Sequence, residues 1–228
     1  MRLDKYIATH SDATRSLAKM AIKGGRVEIN GKVTKDQGAK VKDDDLVTVN
    51  GREIAESGEV YILLHKPEGL VSATQDEEQD TVLDLVDGFT HKPLHIAGRL
   101  DKDTTGVLLL TSDGQWSHRV TSPKHVHGKT YIVETIVPIE KDVIEQFANG
   151  VMLHDESKPT APATLEILED KKARLTLTEG KYHQVKRMFG AVGNRVTKLH
   201  RESVGCITLG DLEEGEFREL TEEEIREF

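Results

Sequence analysis

A single cysteine, Cys206, stands alone in the 228 residues, so no internal disulfide can form and no thiol pair at zinc-ligand spacing exists. We read it as a small buried apolar residue in a protein of a reducing compartment. No apolar run approaches the roughly 20 residues that span a bilayer. Charged residues punctuate positions 1–23, unlike a secretory signal, and a cytosolic protein with no membrane partner is expected. The chain also lacks a Gly-x4-Gly-Lys-Ser/Thr loop, a Gly-x-Ser-x-Gly elbow and a His-Glu-x-x-His pair. ATP-driven, acyl-serine and zinc-protease chemistries lose their usual signatures with them. His125 with His127, and His91 with His95, lack a recognisable third ligand, so no metal is expected. Internal repeats and low-complexity tracts are missing too.

What is present is an uneven distribution of charge. The formal charge is -9, whereas binding nucleic acid normally draws on Lys and Arg. Residues 1–42 nevertheless hold ten basic side chains against four acidic ones. Residues 211–228 hold nine acidic against two basic, which we read as a solvated acidic helix.

Leu3, Tyr6 and Ile7 recur at helical spacing, as do Leu17, Met20 and Ala21 after a candidate Thr14 cap, with Gly24 and Gly25 ending the second helix. Residues 26–33 alternate around Asn30-Gly31, and residues 46–49 precede Asn50-Gly51, both tight-hairpin signals. This αα-β unit is assigned to residues 1–50. Arg15, Lys19 and Lys23 repeat every four residues and form a basic stripe opposite the Leu17 and Ala21 line, continued by Arg26, Arg2 and Lys5. Residues 51–59, short and polar between glycines, have the composition of a linker.

A second domain is assigned to residues 60–228. Strands are predicted at 60–64, 95–97, 107–111, 131–137, 164–168, 174–178 and 195–200. Helices are predicted at 114–120, 140–148, 183–192 and 222–227. Val143 and Phe147 face inward on the second of these, and Thr221 with Glu224 has capping-box spacing on the last. Strands that often follow strands indicate an α+β fold with a mixed, largely antiparallel sheet.

Residues 98–106 form a polar loop between two apolar strands, a placement that often carries function. Taken alone, Asp101 and Asp103 there read as turn formers bonding their own backbone.

Two resemblances sharpen this reading. Arg2-Leu-Asp-Lys-Tyr-Ile, Thr14-Arg-Ser-Leu-Ala-Lys and Gly25-Arg-Val-Glu-Ile-Asn-Gly resemble the S4 RNA-binding domain over about the first fifty residues. Gly98-Arg-Leu-Asp with Thr104-Thr-Gly resembles the catalytic motif of the RsuA/RluA superfamily of pseudouridine synthases. Tyr61-Ile-Leu-Leu-His-Lys-Pro-Glu-Gly, Lys129-Thr-Tyr and Glu179-Gly-Lys-Tyr-His-Gln-Val-Lys-Arg-Met are similar to that superfamily's other motifs, in the same order. An S4 domain ahead of the catalytic domain selects the RsuA branch, and Tyr182-His183-Gln184-Val185 is similar to the small-subunit enzymes of that branch.

The resemblance implies isomerisation of a uridine to pseudouridine without a cofactor. It implies catalytic roles for Asp101, Tyr131 and Lys186, substrate contacts for Arg99 and Leu199, and RNA contacts for Arg2, Arg15, Lys19, Lys23 and Arg26. The expected target is uridine 516 of 16S rRNA, met in a small-subunit assembly intermediate by a monomeric enzyme. The alternatives are a synthase acting on 23S rRNA and a non-catalytic S4-type assembly factor. Two residues depart from the superfamily's usual pattern: Lys186 stands where arginine is common, and His65 where asparagine precedes Lys-Pro.

Overall fold

The computed structural model describes every residue of the chain except 12, 43, 55–57, 88, 90, 91 and 123–126. Two compact units are formed, one from residues 1–59 with 88–93 and the other from residues 60–87 with 94–228.

The first unit opens with helices α1 (Leu3–Thr9) and α2 (Arg15–Lys23). The Thr14 side chain accepts a hydrogen bond from the Leu17 amide at 3.2 Å and so caps α2. Strands β1 (Val27–Ile29), β2 (Lys32–Val33), β3 (Val47–Val49) and β4 (Arg52–Ile54) follow as an antiparallel sheet in the order β2-β1-β3-β4. Both Asn-Gly pairs close two-residue hairpins. Asn30 and Gly31 take φ of 52° and 74°, and Asn50 and Gly51 take 51° and 76°, the paired positive values that such a turn requires.

Two expectations are corrected in this unit. Arg52–Ile54, assigned to the linker, pairs with β3, because the Asn50-Gly51 turn returns the chain onto the sheet; residues 55–57 lie outside the described set. On α2 the buried face is Ala18, Ala21 and Ile22, whereas Leu17 and Met20 are exposed. Small alanines allow α2 to approach α1 closely, where Leu3 and Ile7 fill the space against Val27 and Val47. Arg15, Lys19 and Lys23 still lie off the buried face.

The second unit contains β5 (Tyr61–Lys66), β6 (His95–Ala97), β7 (Thr104–Thr111), α3 (Gly114–Thr121), β8 (Lys129–Thr135) and α4 (Asp142–Asn149). It continues with β9 (Thr164–Glu169), β10 (Lys172–Leu177), α5 (Gln184–Ala191), β11 (Val196–Val204), β12 (Ile207–Thr208), β13 (Phe217–Glu219) and α6 (Glu222–Arg226). The nine strands form one mixed sheet with the main path β13-β5-β7-β11-β8-β10-β9, while β6 pairs with β7 and β12 with β11. Only β7 and β11 run parallel; the other pairs are antiparallel.

The sheet is covered on both faces, which explains why β7 is buried almost throughout, with a continuous apolar run from Val107 to Leu110, rather than alternating. Leu108 and Leu110 join Ile62, Val133, Leu175 and the helix residues Phe147 and Phe189 on one face. Val107 and Leu109 join Leu63, Trp116 and Ile207 on the other. Each such buried side chain contributes roughly 1.5–3 kcal/mol. Trp116 also donates its indole N–H to the Ile225 carbonyl at 3.0 Å, which ties the C-terminal segment to α3. The Thr221–Glu224 capping box forms at α6, which has no buried residue.

Strands β12 and β13, two and three residues long, were not expected from the sequence. The strand expected at 131–137 starts earlier, at Lys129, and ends at Thr135, leaving Ile136 and Val137 exposed. Cys206 is exposed rather than buried, because it occupies the turn between β11 and β12 instead of a strand position.

Gly106 fixes how closely β7 and β11 approach. It sits opposite Arg201 in the parallel register with φ of 110°. A Cβ there would lie 2.7 Å from the Arg201 nitrogen and closer still to its carbonyl oxygen, so any side chain forces the strands apart. Gly106→Ala should therefore lower unfolding stability by about 3 kcal/mol. Urea unfolding checks this; a midpoint equal to wild type would show that the strands can separate without cost.

Candidate active site

The loop between β6 and β7, residues 98–103, is pinned by three buried polar side chains. Lys66, at the end of β5, donates its ammonium to the carbonyls of Pro67 at 2.9 Å, Thr104 at 2.9 Å and Lys102 at 3.3 Å. Burial pulls Lys66 down to about 8 from the usual 10.5, opposed by the nearby carboxylates of Asp103 and Asp101. Ser72 Oγ donates to the Leu100 carbonyl at 2.7 Å and accepts from the Leu100 amide at 3.1 Å. The Arg201 guanidinium donates to the carbonyls of Val107 and Gly98, both at 2.7 Å. Lys66 and Arg201 are almost wholly buried, so each bond is made in a medium where losing a partner costs most.

This anchoring presents Asp101 and Asp103 to α5. Lys186 Nζ lies 3.0 Å from Asp101 Oδ2 and 2.6 Å from Asp103 Oδ1, bridging the two carboxylates. Burial weakens the ammonium, yet its hydrogen bonds to Asp103 and Asp101 outweigh that and hold Lys186 above its ordinary value. The same bond holds Asp103 below the usual carboxylate range against partial burial. The other oxygen of Asp101, Oδ1, lies 3.2 Å from His183 Nε2. Of the two carboxylates Asp101 is the more enclosed, with 29% of its side chain exposed against 62% for Asp103.

Asp101 opens into a cavity of about 600 Å³ whose lining includes Tyr131, Leu199, Arg99 and Lys186. All five residues expected to act on the substrate therefore share one cavity. Tyr131 on β8 and Leu199 on β11 are nearly buried in its wall, and Arg99 is exposed. The turn before α5 completes the rim. Glu179 Oε1 accepts from the Ala161 amide at 2.9 Å and from Gln184 Nε2 at 2.6 Å, and Gln184 Oε1 accepts from the Lys181 amide at 2.8 Å.

Sequence reasoning assigns no role at this site to Lys66, Ser72, Arg201 or His183. A lysine ending an otherwise apolar strand is a readable signal for the first. Ser72 and Arg201 act on carbonyls far away in sequence and leave no local pattern. Among the described residues no three His, Cys, Asp or Glu side chains gather as metal ligands, and His91 and His125 lie outside the described residues.

In the first unit, Arg2 Nε and Arg15 Nε lie 3.1 and 3.2 Å from the two carboxylate oxygens of buried Asp4. The hydrogen bond from Arg2 leads in holding Asp4 down to about 2. Arg2 and Arg15 are thereby fixed side by side with about half of each side chain exposed. Lys23 and Arg26 are exposed and Lys19 is half-buried.

Comparison with known proteins finds relatives along the whole chain. Residues 60–191 match a protein-family model described as RNA pseudouridylate synthase, and residues 1–47 match the S4 domain. The chain is 50% identical over 227 residues to "Ribosomal small subunit pseudouridine synthase A" of Salmonella typhimurium, covering 99% of this chain and 98% of that protein. It is also 50% identical over 226 residues to the protein of the same name in Vibrio cholerae, again covering 99% and 98%. A solved structure described as a pseudouridylate synthase superposes with a TM-score of 0.72 at 44% identity, covering 100% of this chain and 99% of that one. No helix among the described residues is long and apolar enough to cross a membrane. A carboxylate and its cation lining one cavity, in a chain that matches the S4 domain over residues 1–47 and whose relatives match it end to end, place it in a known group: it is a member of the RNA pseudouridylate synthase family.

Proposed function

We propose that this protein converts uridine 516 of 16S rRNA to pseudouridine, acting as a monomer on a small-subunit assembly intermediate in the cytosol. The observation that carries the reading is the Asp101–Lys186 pair in the cavity shared with Tyr131 and Leu199. The name of the half-identical relatives, ribosomal small subunit pseudouridine synthase, supports the choice of rRNA.

The reaction breaks the bond from uracil N1 to ribose C1′, turns the base, and joins C5 to C1′. The C5 proton leaves and N1 ends protonated, so neither redox change nor net hydrolysis occurs and no cofactor is needed. Asp101 supplies the negative charge at C1′, as nucleophile or as partner to a developing cation, as carboxylates do in glycoside chemistry. Lys186, 3.0 Å away, sets a positive charge beside that carboxylate when the base covers it and water is excluded. The target uridine must leave its stack to enter, at a cost of a few kcal/mol that contacts in the pocket offset. Tyr131 offers its ring beneath the base and its hydroxyl for proton transfer, and Leu199 packs on the uracil. Arg99 occupies the space the base vacates or holds a phosphate.

Residues 1–50 grip the RNA on this reading, and residues 60–228 carry the chemistry. Asp4 holds Arg2 and Arg15 as a preset pair, so little side-chain freedom is lost when both meet phosphates. Lys19, Lys23 and Arg26 extend the positive surface.

Two experiments test these assignments. Pseudouridines are mapped across both rRNAs in cells lacking the gene, then after restoring wild type or Asp101→Asn. Wild type should restore a single site, uridine 516 of 16S rRNA, and the variant none; a restored site in 23S rRNA would shift the target, and restoration by the variant would remove Asp101 from the mechanism. For the grip, the triple variant K19A/K23A/R26A should flatten the slope of log affinity against log salt by roughly one for each phosphate left without its cation. An unchanged slope would detach those three side chains from RNA.

A further inference from the structure

Tyr182 is the most exposed aromatic residue on the rim of the catalytic cavity, with 76% of its surface open, whereas Tyr131 in the wall is 9% exposed. An exposed ring alone is ordinary, but its surroundings give this one a use. The ring of Tyr182 stacks on the imidazole of His183 with centroids 3.8 Å apart and planes 21° from parallel. His183 in turn places Nε2 3.2 Å from Asp101 Oδ1. The phenol is thus backed by one flat group that leads directly to the nucleophile.

The backbone at this point is specialised as well. His183 adopts φ of 48° and ψ of 34°, a left-handed conformation uncommon for residues other than glycine. Without it the chain would run on from the preceding turn into α5 differently, and the imidazole would not lie between Tyr182 and Asp101. The Tyr182 carbonyl accepts from Arg187 NH1 at 3.1 Å, and the neighbouring Lys181 is held by Glu156 at 3.0 Å, so the turn is anchored on both sides. Strain held in place by such anchors is typical of functional positions.

We propose that Tyr182 is a stacking shelf for the RNA base adjacent to the target uridine, with His183 as its backing. The inference deepens the function proposed above and rests on it. When a uridine is drawn out of its stack, the neighbouring base is left without a partner on that side. An exposed ring beside the cavity mouth offers a replacement face, and stacking tolerates any base because each has a π surface. The target itself is better served by Tyr131 and Leu199, which lie in the enclosed wall. Arg99, exposed on the same cavity with no ion pair among the described residues, suits a flanking phosphate.

The test uses a small-subunit rRNA fragment spanning the target, free or assembled with small-subunit proteins, in whichever form wild type converts. 2-Aminopurine replaces the nucleotide on the 5′ or the 3′ side, and its fluorescence reports stacking. Binding to wild type and to Tyr182→Phe should quench the probe on one side, while binding to Tyr182→Ala should leave it bright. KM should rise about tenfold in Tyr182→Ala and less than about twofold in Tyr182→Phe, with kcat changing far less than KM. Tyr182→Leu, apolar but without a π face, should behave like the alanine variant. Equal quenching by Tyr182→Ala and wild type, or equal damage from Tyr182→Phe and Tyr182→Ala, would overturn the shelf while leaving the catalytic assignment intact. Failure of wild type to convert any form of the RNA would instead overturn the function on which the shelf rests.

Discussion

One ammonium group organises the cavity of the second unit. Lys186 reaches from α5 across to the loop ahead of β7 and touches two carboxylates at once. An ammonium this close offsets the cost of placing two carboxylates together beside a partly closed cavity, and its hydrogen bond holds Asp103 below the usual carboxylate range. Sharing that cation also fixes geometry: Asp103, more exposed, takes the shorter bond, and Asp101 is left turned toward the cavity. Lysine in place of the arginine common in the superfamily keeps the charge and gives up the planar fork. Here a compact ammonium reaches two separate carboxylates, a task for which a fork matched to one carboxylate holds no advantage.

Four residues of the second unit hold that loop still. Gly106 lets β7 and β11 approach closely enough for Arg201 to reach the Gly98 carbonyl. Lys66 and Ser72 secure the loop from the opposite strand and the segment after it. Burying two cations to hold backbone carbonyls is costly in desolvation, and it makes sense where the aim is a rigid loop rather than maximal stability. The first unit repeats the device in reverse, with a buried acid, Asp4, setting two arginines.

Local signals in the sequence carried most of the fold. Asn30-Gly31 and Asn50-Gly51 specify their turns because few other residue pairs tolerate positive φ twice in succession. Val143 and Phe147 reported the inward face of α4 through spacing alone. On α2 spacing misled, since apolar residues at 17, 18, 20, 21 and 22 surround much of the helix and only packing against α1 selects Ala18 and Ile22 over Leu17 and Met20. Short edge strands such as β12 and β13 are defined by the partner they join and not by their own composition. At the site, Asp101 carries no local signal that separates it from a turn residue; only the longer motif around it does. Lys66 is marked by its place at the end of an apolar strand, whereas Ser72 and Arg201 act on carbonyls far away in sequence, which no periodicity encodes.

The proposed chemistry depends on the Lys186 ammonium that stands 3.0 Å from Asp101. Single-turnover kinetics with saturating RNA, comparing Lys186→Met and Lys186→Arg with wild type, address this directly. The methionine variant should slow conversion by about 100-fold or more while binding RNA as wild type does, and the arginine variant should keep most of the rate. A methionine variant that turns over at the wild-type rate would contradict the role given to the ammonium.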